Sequence, residues 1–329
     1  MRLPRVDAFR VYSIVMILFA HVQYFGRVDF EAAFTKPISV VIIIVARATI
    51  QFFFIASGYF LGGQIVDRPE QARSLAWTYT FRLMVVFVFW CIVYEFLNPG
   101  GFILLLKNDP LRLLFEGTRL HLWYLPALIL SAWMFALWPE KSRGSWHFVA
   151  FTFGLFIIGL FAGSYRETGL GFELHFNTRN GPFFGALFFA IGAYLHGRPA
   201  LGKLTAIWMY VFGLLLFSAE SYFLWSRWGM DPIKNDYLLG SIPMGIGFFL
   251  FALNFDPTRL DKVVAPLAKY VLGVYLVHLA ILEYGLKRFH GSFPALVWQL
   301  TLPLVLAVIS FGLVYLLART PLKVVLGIK

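Results

Sequence analysis

Apolar residues run through this chain in long unbroken stretches, covering residues 9–26, 38–62, 77–97, 120–138, 147–163, 181–197, 203–220, 236–254, 270–288 and 294–318. Each is close to the roughly 17–25 residues with which a helix crosses a hydrocarbon layer about 30 Å thick. Lipid offers no partners to backbone N–H and C=O groups, so a spanning segment is either a helix or part of a closed barrel. Barrel strands would read as short alternating segments, whereas these runs are continuous. The pattern therefore predicts an all-α, polytopic membrane helical bundle of about ten transmembrane helices. An even number puts both termini on one side. Arg2 and Arg5 before the first run, with Arg319, Lys323 and Lys329 after the last, make that side the cytoplasm. The loops expected on the opposite face are 27–37, 98–119, 164–180, 221–235 and 289–293. They mix cations with Asp29, Glu31, Asp109, Glu116, Glu167, Glu173 and Asp231.

Composition narrows the class. Of 329 residues, 60% are hydrophobic and only 14% charged, against about a quarter charged in soluble domains. The net charge of +11 would suggest nucleic acid in a soluble protein. Here it is read as basic loops meeting anionic lipid, with room for an anionic ligand, and no nucleic-acid partner is expected. Cys91 is the single cysteine, so no internal disulfide can form. The basic-then-apolar N-terminus has no clear cleavage pattern after it and many more spans follow, so it is read as a retained first helix. No internal repeat or low-complexity tract is visible, and residues 1–329 read as one membrane domain. There is no P-loop, dinucleotide fingerprint or GxSxG elbow. His175 has no ligand-spaced partners, and no metal is predicted.

The first run, VDAFRVYSIVMILFAHVQYF, carries the most chemistry. Eleven residues turn a helix by about 1100°, some 20° past three full turns, so Arg10 and His21 share a face about 16 Å apart along the axis. Asp7 precedes Arg10 by one turn, within i,i+3 reach, and Tyr24 continues the stripe beyond His21. An arginine at a helix end also snorkels to the interface, and a histidine at depth also serves to bond a neighbouring helix. Ionisable groups at membrane depth are costly, though, and face bundle interiors or water-filled cavities. The second run holds Arg47 and Gln51 among apolar residues, with Arg47 expected near the depth of His21. Ser57 and Gly58 at its end are small enough for close helix approach.

These residues carry a family resemblance. DAFR (7–10) followed by His21 resembles the DxxR…H pattern of the membrane-bound acyltransferase-3 family, and FFFIASGYFL (52–61) its FFxxSGF/Y segment. HLWYLPALI (121–129) is similar to its middle-helix segment, and LGVYLVHLAI (272–281) to its late YLxH segment. The four occur in the family's order across most of the chain. Gln51 stands where the family often has an acidic residue or proline. Arg82, with Arg73 upstream, stands in place of paired arginines.

The resemblance implies a bacterial inner-membrane O-acyltransferase that moves an acetyl or other acyl group from cytoplasmic acetyl-CoA to a carbohydrate hydroxyl. The acceptor would be a surface or lipid-linked glycan, such as exopolysaccharide or lipopolysaccharide; the lack of a fused hydrolase-like domain argues weakly against peptidoglycan. In that reading His21 is a general base or a transient acyl carrier, with Asp7, Arg10 and Arg47 beside it in the catalytic set. Arg47, Trp123 or Tyr124 is the candidate oxyanion stabiliser. Arg10, Arg73, Arg82 and Ser57 are expected to hold the donor, and Trp123, Tyr124, Tyr24 and His278 to contact the acceptor. Trp123 and Tyr124 are read first as an aromatic belt, with an acceptor platform as the sharper alternative, and His278 equally fits interhelical bonding. Glu95, Glu220 and Glu283 are read first as interfacial, with one of them able to orient His21. The charges of the loop 164–181 are read first as solvated, with contact to the acceptor glycan as the sharper alternative. Partners are the glycan and membrane lipids, with oligomeric state open. The alternative is a transporter or flippase of a polar or glycolipid substrate, with Arg10, Arg47 and His21 as its pathway, although the paired broken helices common in transporters do not stand out.

Overall fold

A computed structural model describes residues 3–25, 35–174, 177–199, 201–289 and 292–328; Arg2, Asp29, Glu31, His175 and Lys329 lie outside the described residues. Among the described residues every regular element is helical. The α-helices are α1 (Pro4–Phe25), α2 (Thr35–Ser57), α3 (Gly63–Asp67), α4 (Ala72–Leu97), α5 (Gly101–Asn108), α6 (Pro110–Glu116) and α7 (Tyr124–Leu137). They continue with α8 (Trp146–Ala162), α9 (Gly185–Leu195), α10 (Lys203–Trp228), α11 (Ser241–Asn254), α12 (Arg259–Val264), α13 (Val271–Tyr284) and α14 (Ala295–Leu317). Each of the ten apolar runs contains a helix. Among the described residues seven helical stretches are long and apolar enough to cross a membrane, while α8, α9 and α11 are shorter.

Not all helices keep to the runs that predict them. The run 181–197 yields only the 11 residues of α9, and Gly185–Ala193 are all buried. A continuous apolar run marks burial, and protein buries a helix as well as lipid does. Conversely α10 continues to Trp228, eight residues past the run 203–220, and stops where Gly229 takes a left-handed φ of 68°. The expected outer loop 98–119 is also not plain loop, because it contains α5 and α6.

The chain divides into two compact units, Met1–Ile50 with Leu250–Lys329, and Gln51–Phe249. In the first, α1 packs against α12, α13, α14 and the 3₁₀ turn Ala265–Tyr270. Val11, Ile14, Leu18 and Val22 form its buried side at helical spacing. Pro4 opens α1 at a position where its missing N–H costs no bond. Arg5 therefore lies within the first turn of α1 rather than ahead of it. It donates to Asp261 Oδ2 at 3.0 Å and to the Asp256 carbonyl at 2.5 Å, with its guanidinium over the rings of Phe9, Phe251 and Phe255. Tyr12 donates to Asp261 Oδ1 at 2.8 Å, and Asp261 also completes a capping box with Thr258.

In the second unit a π-helical segment, Gly58–Gly62, joins α2 to α3 and packs against α9. The close approach expected at SGYFLG is backbone to backbone. A Cβ on Gly58 would fall 1.9 Å from the Phe189 carbonyl oxygen, and one on Gly192 2.0 Å from that of Ile55. Since backbone cannot step aside as a side-chain tip can, Gly58→Ala should destabilise the protein by about 1–3 kcal/mol. The check is the melting temperature of detergent-solubilised protein. No change would mean that the two segments are not in contact.

Candidate functional site

Helix α1 holds the predicted stripe, and Arg10 Nη1 lies 3.5 Å from Asp7 Oδ1 as the i,i+3 spacing requires. The Arg10 side chain is 41% exposed, so its charge is available as well as paired. Further along the stripe His21 Nδ1 lies 2.6 Å from His278 Nε2, the ring centroids being 4.9 Å apart and the planes 14° from parallel. His278 comes from α13 and is 0% exposed. Its other nitrogen, Nδ1, lies 2.6 Å from the carbonyl oxygen of Tyr275, one turn back on the same helix. The sequence leaves His278 open between contact with the acceptor and a bond to a neighbouring helix. In the structure it sits against His21, and it does so because α1 and α13 pack together.

One turn beyond His21, the Tyr24 hydroxyl accepts from Arg47 Nη2 at 3.3 Å. Arg47 is 8% exposed on α2, so the structure brings Asp7, Arg10, His21, Tyr24, Arg47 and His278 into one unit. On the far side of α1 lies a polar cluster that sequence reasoning missed. Ser39 Oγ donates to Gln23 Oε1 at 2.8 Å, and Gln299 Nε2 lies 2.8 Å from both. All three are 0% exposed. The signal was available: a lone glutamine inside a long apolar helix marks a contact with another helix. Gln23 is two residues, about 200°, from His21, so this cluster fastens α1 and leaves the His21 face to other work.

The remaining candidates belong to the other unit. Arg73 and Arg82 both lie on α4, where nine residues amount to about 900°, or opposite faces. They do not form one phosphate-binding side. Ser57 closes α2 at the start of the π segment. Trp123 is 5% exposed, packed near Phe54 and Phe184 with the Arg179 guanidinium 4.8 Å from its ring. It is buried packing rather than a belt residue. Tyr124 lies edge-on to Phe54.

Two of the three carboxylates named as candidate orienters of His21 bond to loop backbone. Glu95 accepts from the backbone N–H of Gly100 at 2.7 Å and Phe102 at 2.6 Å. Glu220 accepts from the N–H of Leu239 and Gly240 and from the Tyr165 hydroxyl. Burial and that carboxylate push the Tyr165 hydroxyl above its ordinary range, which keeps it a donor. Two cations in the loops following α7 and α9 are likewise tied to backbone. Arg143 donates to the carbonyls of Ala136 and Trp138, and Arg198 to those of Tyr194 and Gly144. Three of the expected outer loops do converge. Segments 109–116, 162–174, 177–178 and 229–237 contribute residues to a polar pocket of about 810 Å³ that includes Glu116, Arg166, Glu173, Asn177 and Lys234. Among the described residues no group of three or more His, Cys, Asp or Glu could hold a metal.

Comparison with known proteins agrees on the family and adds an unexpected name. An amino-acid racemase of Enterococcus faecalis is 27% identical over 340 aligned residues, 97% of this chain and 46% of that protein. A second amino-acid racemase of the same organism is 31% identical over 167 residues, 47% of this chain and 23% of the relative. A serine/alanine racemase of Enterococcus gallinarum is 26% identical over 83% of this chain and 40% of its own length. This chain thus spans less than half the length of the curated relatives it matches. No solved structure matches it. The acyltransferase-3 model, described as an acyltransferase domain, matches residues 3–319. With the DAFR…His21 stripe on α1 and the partner histidine on α13, nearly the whole length is accounted for, and the chain belongs to the acyltransferase-3 family.

Proposed function

We propose that this protein is a membrane O-acyltransferase moving an acetyl group from cytoplasmic acetyl-CoA to a hydroxyl of a surface or lipid-linked polysaccharide, in the bacterial inner membrane. The observation that carries the reading is the α1 stripe: an exposed, Asp7-paired Arg10 and, three turns along, His21 hydrogen-bonded through Nδ1 to His278. Coenzyme A presents phosphates at one end and its thioester at the end of an extended arm. A guanidinium suits the phosphates. An imidazole about 16 Å further along the helix suits the reacting end. Ser57 and one of Arg73 and Arg82, which lie on opposite faces of α4, are further proposed donor contacts. Arg47, held on Tyr24, is the proposed stabiliser of the developing oxyanion. Trp123 and Tyr124 remain proposed acceptor contacts, and the polar pocket lined by Glu116 and Lys234 supports a hydrophilic acceptor.

The relatives' racemase names describe proteins of which the shared region is under half. The family description covers residues 3–319, and acyl transfer is therefore the activity adopted. Binding of the donor tests it first. CoA should raise the melting temperature of the protein in lipid nanodiscs, and Arg10→Ala should abolish most of that rise. Indifference of the wild type to CoA would count against the donor site and favour the transport alternative.

A further inference from the structure

We infer that His278 is a positioning residue that sets the tautomer of His21 and so determines which of its nitrogens does the chemistry. The inference rests on the acyl-transfer reading above. Its geometry comes from two contacts, each 2.6 Å long. A carbonyl oxygen can only accept, so the contact between His278 Nδ1 and Tyr275 O places a proton on His278 Nδ1. A neutral imidazole carries one ring proton, so His278 Nε2 holds a lone pair and accepts. The proton between the two rings therefore belongs to His21 Nδ1, and the lone pair of neutral His21 is on Nε2. For two neutral rings this is the only pattern that satisfies both contacts. The ring that imposes it is 0% exposed and anchored to its own helix, so its orientation is set independently of His21. A third group that fixes a base in one tautomer is the arrangement that makes imidazole bases effective in hydrolytic sites.

The step then balances as follows. The acceptor hydroxyl passes its proton to His21 Nε2 while its oxygen forms a bond to the thioester carbonyl carbon. The C–S bond breaks, and the electron pair leaves with sulfur as the CoA thiolate. His21, now an imidazolium still donating from Nδ1 to His278, returns the Nε2 proton to that sulfur. The products are ester and CoA thiol, and both histidines end neutral. A histidine serving only to join α1 to α13 through the same contacts would impose the same tautomer, so the kcat of its variants, beside the spectrum, separates a positioning role from a purely structural one.

The test is full-length protein in nanodiscs with nitrogen-15-labelled histidine, the His21 ring signals being assigned by their loss in His21→Ala. The expected spectrum has His21 protonated at Nδ1 and bare at Nε2. Two variants accompany it: His278→Gln, whose amide oxygen can still accept, and His278→Leu, which keeps volume without an acceptor. His278→Leu should lose about 10- to 100-fold in kcat, the range for partners that orient a functional histidine, with KM for acetyl-CoA nearly unchanged. His278→Gln should retain most of the activity. Protonation of wild-type His21 at Nε2, or equal losses in the two variants, would overturn the inference while leaving acyl transfer standing. Absence of transfer by wild type across acceptors would overturn the acyl-transfer reading while leaving the tautomer assignment intact. Should His278→Leu fail to fold, His278→Ala takes its place beside His278→Gln, and protonation of wild-type His21 at Nε2 still overturns the inference.

Discussion

Alanine at position 21 should lower acetyl transfer by about 10²- to 10⁴-fold, the span that a positioned general base contributes. The loss should fall on kcat, because the proposed donor grip is at Arg10 and not at the imidazole. The stability cost should be held to about 1–3 kcal/mol, that of leaving the buried His278 Nε2 without this donor, since α1 is held independently by the Gln23–Ser39–Gln299 cluster and by Arg5 on Asp261. The comparison with His278 sharpens this. If His278 acts through His21, the double variant His21→Ala/His278→Leu should be no slower than His21→Ala alone, because groups that work as one unit are far from additive. Steady-state rates for the wild type, both single variants and the double variant supply the check. Additive losses would mean that the two histidines have separate tasks.

The largest stability effect is expected at Asp261. Its side chain is 4% exposed and joined to the 11%-exposed Arg5, to the Tyr12 hydroxyl and to the Thr258 cap. Removing one partner of a buried ion pair leaves the other charge uncompensated, which costs about 3–5 kcal/mol. In Asp261→Ala the stranded charge is Arg5, amid three phenylalanine rings, and the capping box is lost as well. Tyr12→Phe should cost only about 1 kcal/mol, since it removes one hydrogen bond and strands no charge. Melting temperatures of the purified variants decide this. An Asp261→Ala protein as stable as Tyr12→Phe would show that the pair is solvated and of little consequence.

Much of this was legible in the chain. Apolar run length indicated helices, and the 100° helical turn put Asp7, Arg10, His21 and Tyr24 on one stripe, where the structure finds the Asp7–Arg10 contact. Ser57 and Gly58 signalled close approach, and the Gly58–Phe189 geometry shows how close. Less legible were properties that depend on distant segments. His278 follows His21 by 257 residues, and nothing local indicates which imidazole nitrogen meets which. Glu95 and Glu220 looked like candidate orienters because a carboxylate near membrane depth needs a reason. Their reason is backbone amides in adjoining loops. Trp123 resembled a belt residue because tryptophan at a helix end usually is one, and only the surrounding Phe54, Phe184 and Arg179 show it to be interior. Arg73 and Arg82 illustrate the reverse case: their spacing already places them on opposite faces once α4 is seen to begin at Ala72.

The most direct measurement is transfer of labelled acetyl from acetyl-CoA by purified protein in nanodiscs, with membrane glycans as acceptors and CoA thiol release followed in parallel. The account predicts one thiol released per acetyl found in glycan with wild type, and near-background label with His21→Ala at equal folded protein. Full transfer by His21→Ala would contradict it.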